Sequence, residues 1–238
     1  MLIPTIAPRS LTMTTSSPAP ADSAGDPTRD KIKTAAQRLF SARGIDGVSV
    51  RDIVAAAGLR NGASLHYYFG SKEGLLRELV IDGARKSDSA RRRALEGLEA
   101  GGAHIGVADI VRLMIEVETG HHAEAEVDPH VGYGHMRFVV ALQINHRRIL
   151  GEALDGVQNT GYLRCLAHIR RALPDLPPQT INQRLIFMYI MLTTTLAARE
   201  AAFETDPTGG RLWSAPDAID NLVLSITGLL TAPAPDQR

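Results

Sequence analysis

Residues 32–76 read IKTAAQRLFSARGIDGVSVRDIVAAAGLRNGASLHYYFGSKEGLL, and the spacing of their apolar side chains decides the fold. Ile32, Ala35, Ala36, Leu39 and Phe40 fall at i, i+3, i+4, i+7 and i+8, which is one face of a helix over 30–43 that Gly44 ends. Ser49-Val50-Arg51-Asp52 has the spacing of a capping box. The Ser49 hydroxyl accepts from the Asp52 N–H while the Asp52 carboxylate reaches back, so a second helix runs over 50–57 and stops at Gly58. A short turn over 58–60 leads into a third helical stretch at 61–69. Ser71 then caps a fourth helix whose stripe is Leu75, Leu76, Leu79 and Val80. A helix, a short glycine-containing turn and a helix let the second helix stand off the body and enter a DNA major groove.

Outward from this stretch, almost no segment shows the period-2 alternation of a half-buried strand, so the fold class is all-α. Further helices are expected near 106–119, 134–154, 157–173, 180–203 and 216–230, the last opened by a Ser214-x-x-Asp217 capping box. Residues 1–28 hold five Pro and nine Ser/Thr, too polar and too broken to offset chain entropy, and are expected to form a disordered arm. Pro4 and Pro8 interrupt the opening apolar run, and its one Arg follows it, which is a poor pattern for a signal peptide. Cys165 is the single cysteine, so no intramolecular disulfide forms, and a reducing cytoplasm is the expected compartment. No unbroken run of about 18 apolar residues is present, so no membrane span is expected.

The charge is uneven. Overall, 26 Lys+Arg balance 26 Asp+Glu, which excludes a uniformly polycationic coat for nucleic acid. Divided along the chain, residues 29–93 carry 14 basic and 7 acidic side chains, net +7, while 94–238 carry 11 and 17, net −6, and the arm carries net −1. Phosphate neutralisation needs local charge, so a basic head on an acidic body suits a DNA-binding regulator.

The pattern of Ala36 with Leu39-Phe40, Gly44, Val48-Ser49-Val50, Asp52-Ile53, Ala57-Gly58, Tyr67-Tyr68-Phe69 and Ser71-Lys72-Glu73 with Leu75-Leu76 resembles the N-terminal domain of the TetR family of transcriptional repressors. Between Gly58 and Phe69 lies one residue more than in many members, and Tyr68 stands where a His is frequent; the turn at Arg60-Asn61 resembles a subgroup with this longer turn. The resemblance implies a disordered arm over 1–28, a helix-turn-helix DNA-binding domain over 29–75, a helical effector-binding and dimerisation domain over 76–231 and a flexible tail over 232–238. It further implies a homodimer that holds a pseudo-palindromic double-stranded DNA operator until a small hydrophobic effector releases it. Neither enzymatic activity, a cofactor, a metal nor a membrane is expected.

Several head residues can be assigned roles from their chemistry. Ser49 and the unsatisfied N–H groups at the second helix's start form an anion site, and Arg51 in that first turn opposes the helix dipole, so a phosphate partner explains its placement. Arg60 suits guanine edges, Asn61 adenine edges, and Ser64 and His66 either, while small Gly62 and Ala63 let the backbone approach the groove. By the resemblance, Tyr67 and Lys72 fall where the family contacts backbone phosphates. Leu65, Tyr68 and Phe69 are expected to pack the third helix on the first two.

In the body, 180–203 is apolar nearly all round and must be covered by more than its own chain. In the family the last two long helices pair across a two-fold axis as a four-helix bundle, which gives Leu185, Met188, Leu192, Leu196, Leu222 and Ile226 as the expected dimer interface. Met114, Phe138, Val139, Leu142 and Met188 are the expected lining of an apolar effector cavity. His121, His122, His130 and His135, with Glu124, Glu126 and Asp128, resemble a metal constellation, but their spacing matches neither a helical i, i+4 pair nor a finger. Two other classes stand beside the regulator: a metal-dependent hydrolase built on that loop, and a helical interaction module without DNA.

Overall fold

Asp26 and Pro27 start the first helix together. The Asp26 carboxylate accepts from the Thr28 N–H at 2.8 Å, and Pro27 occupies the first helical position, where its missing N–H costs nothing. The helix therefore begins inside the stretch 26–28 that the sequence assigns to the arm. The computed structural model describes residues 26–120 and 134–234; the rest of the arm, the segment 121–133 and the end of the tail lie outside them.

The described residues form helices throughout: α1 (Pro27–Arg43), α2 (Val50–Ala56), α3 (Ala63–Phe69), α4 (Lys72–Ala100), α5 (Val107–Thr119), α6 (His135–Asn145), α7 (Arg147–Leu154), α8 (Thr160–Arg171), α9 (Pro178–Thr205), α10 (Gly210–Trp213) and α11 (Ala218–Thr231). The expected single helix over 134–154 is two, because His146 leaves helical geometry at φ −130°, ψ 40°. The Ser214 capping box does not form. Ser214 ends the short α10 instead, and the Asp217 carboxylate accepts from the Asn221 side chain at 2.9 Å.

Two apolar cores share α4 as their common wall. The first gathers Ile32, Phe40, Ile53, Leu65 and Leu76 from the N-terminal helices with Phe138, Leu142, Ile149 and Leu150 from α6 and α7. The second joins Leu95 of α4 to Ile110, Met114, Leu166, Leu185, Met188, Leu192, Leu222 and Ile226 of α5, α8, α9 and α11. α9 is long and apolar enough to span a membrane by composition, with mean hydropathy 1.3 over its best window, yet its inner face is part of this second core.

Buried charges sit at helix ends. Asp88 of α4 accepts from the Tyr162 N–H in the first turn of α8 at 3.1 Å, and Arg184 of α9 donates to the Leu230, Ala232 and Pro233 carbonyls at the end of α11. Each side chain satisfies backbone groups that the helix cannot, with the charge sign that the helix dipole favours. Burial raises the Cys165 thiol to about 11, so it is a small buried apolar group and no thiolate.

Candidate nucleic-acid interface

The capping box that the sequence implies is present at α2. The Ser49 Oγ accepts from the Asp52 N–H at 3.2 Å, and Asp52 Oδ2 accepts from the Ser49 N–H at 2.8 Å. The Ser49 side-chain hydrogen bond, with its backbone bond, holds the Asp52 carboxyl below the usual carboxylate range. Arg51 projects from the same turn, exposed. After α2 the chain turns at Gly58, whose φ of 71° suits a residue without Cβ.

Arg60 is exposed in the turn, and Asn61, also exposed, already has an occupation: its Oδ1 accepts from the Ala63 N–H at 3.2 Å and starts α3. A bidentate grip on adenine would require that bond to open. On α3, Leu65 and Phe69 face inward as expected. Ala63, His66 and Tyr67 are exposed and Ser64 is half-buried. Tyr67, at 82% exposure, is the most exposed large apolar side chain of the head. The His66 Nδ1 lies 3.0 Å from the Gly70 carbonyl; because a carbonyl only accepts, Nδ1 is the donor there and Nε2 is the ring nitrogen left to the outside.

Three contacts brace the head that the residue types alone do not announce, the first two of them fixing α3. The Tyr68 hydroxyl donates to Asp26 Oδ2 at 2.6 Å, tying α3 to the start of α1. That bond is the main reason the Asp26 carboxyl is lowered and the Tyr68 phenol raised from their ordinary values. Arg29 lies over the Phe69 ring at 5.3 Å, and pairs with Glu78 on α4. Lys72 is half-buried. Its Nζ donates to the Ile45 and Val48 carbonyls, both at 2.6 Å, above the Phe40 ring. It is thus a strut holding the α1–α2 turn against α4, with one N–H left over.

The ten residues named for this surface therefore fall on one contiguous stretch, from the start of α2 through the turn and α3 to the start of α4. Residues 32–79 match the family model described as bacterial regulatory proteins, tetR family. The N-terminal head is a TetR-type DNA-binding domain. The chain is 45% identical over 55 residues to the probable HTH-type transcriptional regulator YttP of Bacillus subtilis (strain 168), a match that spans 23% of this chain and 26% of YttP. The fold extends further. A TetR-family transcription regulator candidate from Shewanella sp. PV-4 superposes over 84% of this chain and 96% of its own, with TM-score 0.53 at 16% identity. The fatty acid degradation regulator FadR from Bacillus halodurans does so over 87% and 99%, with TM-score 0.52 at 15% identity. At such identities the likeness is one of fold.

The body residues named from the sequence are placed differently. Leu185, Met188, Leu192, Leu196, Leu222 and Ile226 are buried in the chain's own second core, so they face inward and not toward a partner. Outward on α9 lie Gln183, Phe187, Ile190, Thr194 and Ala198, and on α11 Asn221, Leu224, Ser225 and Gly228. The helical period distinguishes the two faces of α9, but with apolar residues on both, only packing decides which is inner. The five effector candidates do not share a wall either. Met114 and Met188 belong to the second core, with half-buried Val139 packed against it, whereas Phe138 and Leu142 are in the first core, Phe138 stacked on Phe40 with ring centroids 5.9 Å apart. Of the histidine cluster only His135 is among the described residues. It rests against Gly83 of α4, where a Cβ would come within 2.5 Å of the ring, so Gly83 makes room for His135.

Proposed function

We propose that this chain is a DNA-binding transcriptional regulator that acts as a homodimer, represses from a pseudo-palindromic operator and is released by a small effector. The observation that carries the reading is the surface built by α2, the turn and α3. It presents Ser49, Arg51, Arg60, Asn61, His66 and Tyr67 to the outside, in a head whose net charge is +7, and rests on an apolar core that fixes their spacing. Arg60, Asn61, Ser64 and His66 would meet base edges in the major groove, with Gly62 and Ala63 allowing close approach. Ser49, Arg51, Tyr67 and the remaining N–H of Lys72 would set register on phosphates.

A two-fold partner is supported by the outer faces of α9 and α11, where Phe187 and Ile190 are 54% and 52% exposed and Leu224 is 66% exposed. Ser225 and Gly228 beside them would let two helices approach closely. Such a dimer presents two α3 helices about 34–36 Å apart, or a multiple of that. For the effector, the polar interior between α4, α5, α6, α8 and α9 is the better seat than the expected apolar residues. Arg91 pairs with Glu118, the Gln143 amide donates to the Tyr189 hydroxyl at 2.9 Å, and Arg91 Nε is buried with no hydrogen-bond partner among the described residues. An effector with an apolar body and one acceptor oxygen would satisfy it.

Selection of bound duplexes from a random-sequence pool tests the proposal. Enrichment of a two-fold symmetric sequence is expected; a pool that stays random after repeated rounds would reject DNA recognition.

A further inference from the structure

α6 has no capping side chain of its own. Its N-cap is Gly134, and the Gly134 carbonyl accepts from Ser41 of α1 at 2.7 Å. The first-turn N–H groups are satisfied from another helix: Glu200 of α9 accepts from Met136 N at 3.0 Å through Oε1 and from Arg137 N at 2.9 Å through Oε2. One carboxylate thus takes up two donors that the helix start leaves open, at the positive end of its dipole. From that end α6 runs into the head. Phe138 stacks on Phe40, Leu142 enters the same core, and just past the helix His146 Nε2 lies 3.3 Å from Asp46 Oδ1 in the α1–α2 turn. The helix spans eleven residues between the carboxylate on α9 and the contacts on α1.

We propose that Glu200 is a positioning residue: its carboxylate braces α6 against α9, and its protonation sets how firmly α6, and through Phe138 the DNA-reading head, is held. The last step rests on the DNA-binding reading above; the brace itself does not.

The charged groups around Glu200 come from every element nearby. On α9 itself is Glu204, paired with Arg137 of α6; α6 also brings His135; α5 brings Glu118, paired with Arg91 of α4, and Lys86 of α4 acts on His135. Burial raises the Glu200 carboxyl to about 7, against the pull of its two N–H bonds and Arg137, and Glu118 adds to the rise. Burial lowers the His135 imidazole, so that ring is neutral near pH 7 and Glu200 is the group that changes charge there. A released, solvated Glu200 would titrate near its ordinary 4.5. The braced state holds the proton more tightly than the released one, so the brace is strongest below pH 4.5 and weakens as pH rises through 7. Between about pH 6 and pH 8 the ratio of braced to released α6 should fall roughly tenfold.

The test uses the full chain and Glu200→Gln, which keeps the shape and one acceptor oxygen but does not titrate. Amide exchange of residues 134–146, read by mass spectrometry and corrected for intrinsic rates, should show protection falling about tenfold from pH 6 to 8 in the wild type and staying level in Glu200→Gln. Glu200→Ala should lose protection there at every pH while the circular dichroism of the chain is retained. Parallel wild-type and Glu200→Gln profiles would overturn the brace. For the coupling step, affinity for a duplex recovered by selection is measured across the same pH range. The ratio of wild-type to Glu200→Gln affinity should change several-fold, and a constant ratio would overturn the coupling. If no duplex is bound at all, the DNA reading fails on its own, and the exchange profiles still decide the brace.

Discussion

Phe138→Ala is the substitution that most sharply separates the two placements of that ring. The sequence puts it in an effector cavity; the structure buries it to 1% exposure, stacked on Phe40 at 5.9 Å with 13° between the planes, in a core shared with Leu142, Ile149 and Leu150. A ring deleted from a packed core removes its transfer free energy and leaves a void that neighbours only partly fill, about 3–5 kcal/mol in all. For a chain of this length, roughly 2–4 °C of melting temperature accompany each kcal/mol, so the midpoint should fall by roughly 6–20 °C. Phe138→Leu retains most of the volume and should cost about 1.5 kcal/mol or less. Thermal melting followed by circular dichroism, at one pH and salt, compares the two. A double-mutant cycle with Phe40→Leu should add a coupling of about 0.5–1.5 kcal/mol, the ordinary worth of a packed aromatic pair. A Phe138→Ala loss under about 1 kcal/mol, with zero coupling to Phe40, would refute the placement of α6 in the head core.

Ser49→Ala should lower stability by about 1 kcal/mol through loss of the α2 cap, and its urea midpoint should fall accordingly. Lys72→Ala removes two charged hydrogen bonds that tie the α1–α2 turn to α4. It should therefore destabilise the free protein by about 2 kcal/mol as well as weaken all duplexes alike, whereas Arg60→Ala should leave the melting temperature unchanged and relax base preference at one position. Glu118→Gln should cost about 3 kcal/mol in denaturant titration, since it leaves the buried Arg91 charge without its counterion. Phe187→Asp combined with Leu224→Asp should convert a dimer to a monomer of 25.7 kDa by light scattering, while Leu185→Asp should instead unfold the chain.

Where a feature is local, the sequence displays it. The α2 cap needs only Ser49 and Asp52 three residues apart, and the α1 stripe needs only the helical period, so both were legible and both stand. The start of α1 was legible in principle from an Asp before a Pro, the pair that caps and opens a helix, but the polar arm composition masked it. Features that depend on what lies opposite are another matter. Nothing near Glu200 in the chain announces that its carboxylate will cap α6, since its partners are 63 and 64 residues away. The same holds for Asp88 at α8 and Arg184 at α11. Phe138 reads as apolar and helical in either core. On α9, Leu185 and Phe187 are equally apolar; the first is fully buried and the second half exposed because α5, α6 and α11 cover one side alone.

The central claim is that the α2–α3 surface holds duplex DNA by phosphate contact and base reading. Fluorescence anisotropy of the full chain on a duplex recovered by selection, beside a scrambled duplex, at about 50 mM and about 200 mM salt, tests it directly. Saturable binding is expected, weaker by about a hundredfold or more at the higher salt and tighter on the selected duplex at both. Binding indifferent to salt, or equal on the two duplexes, would contradict it.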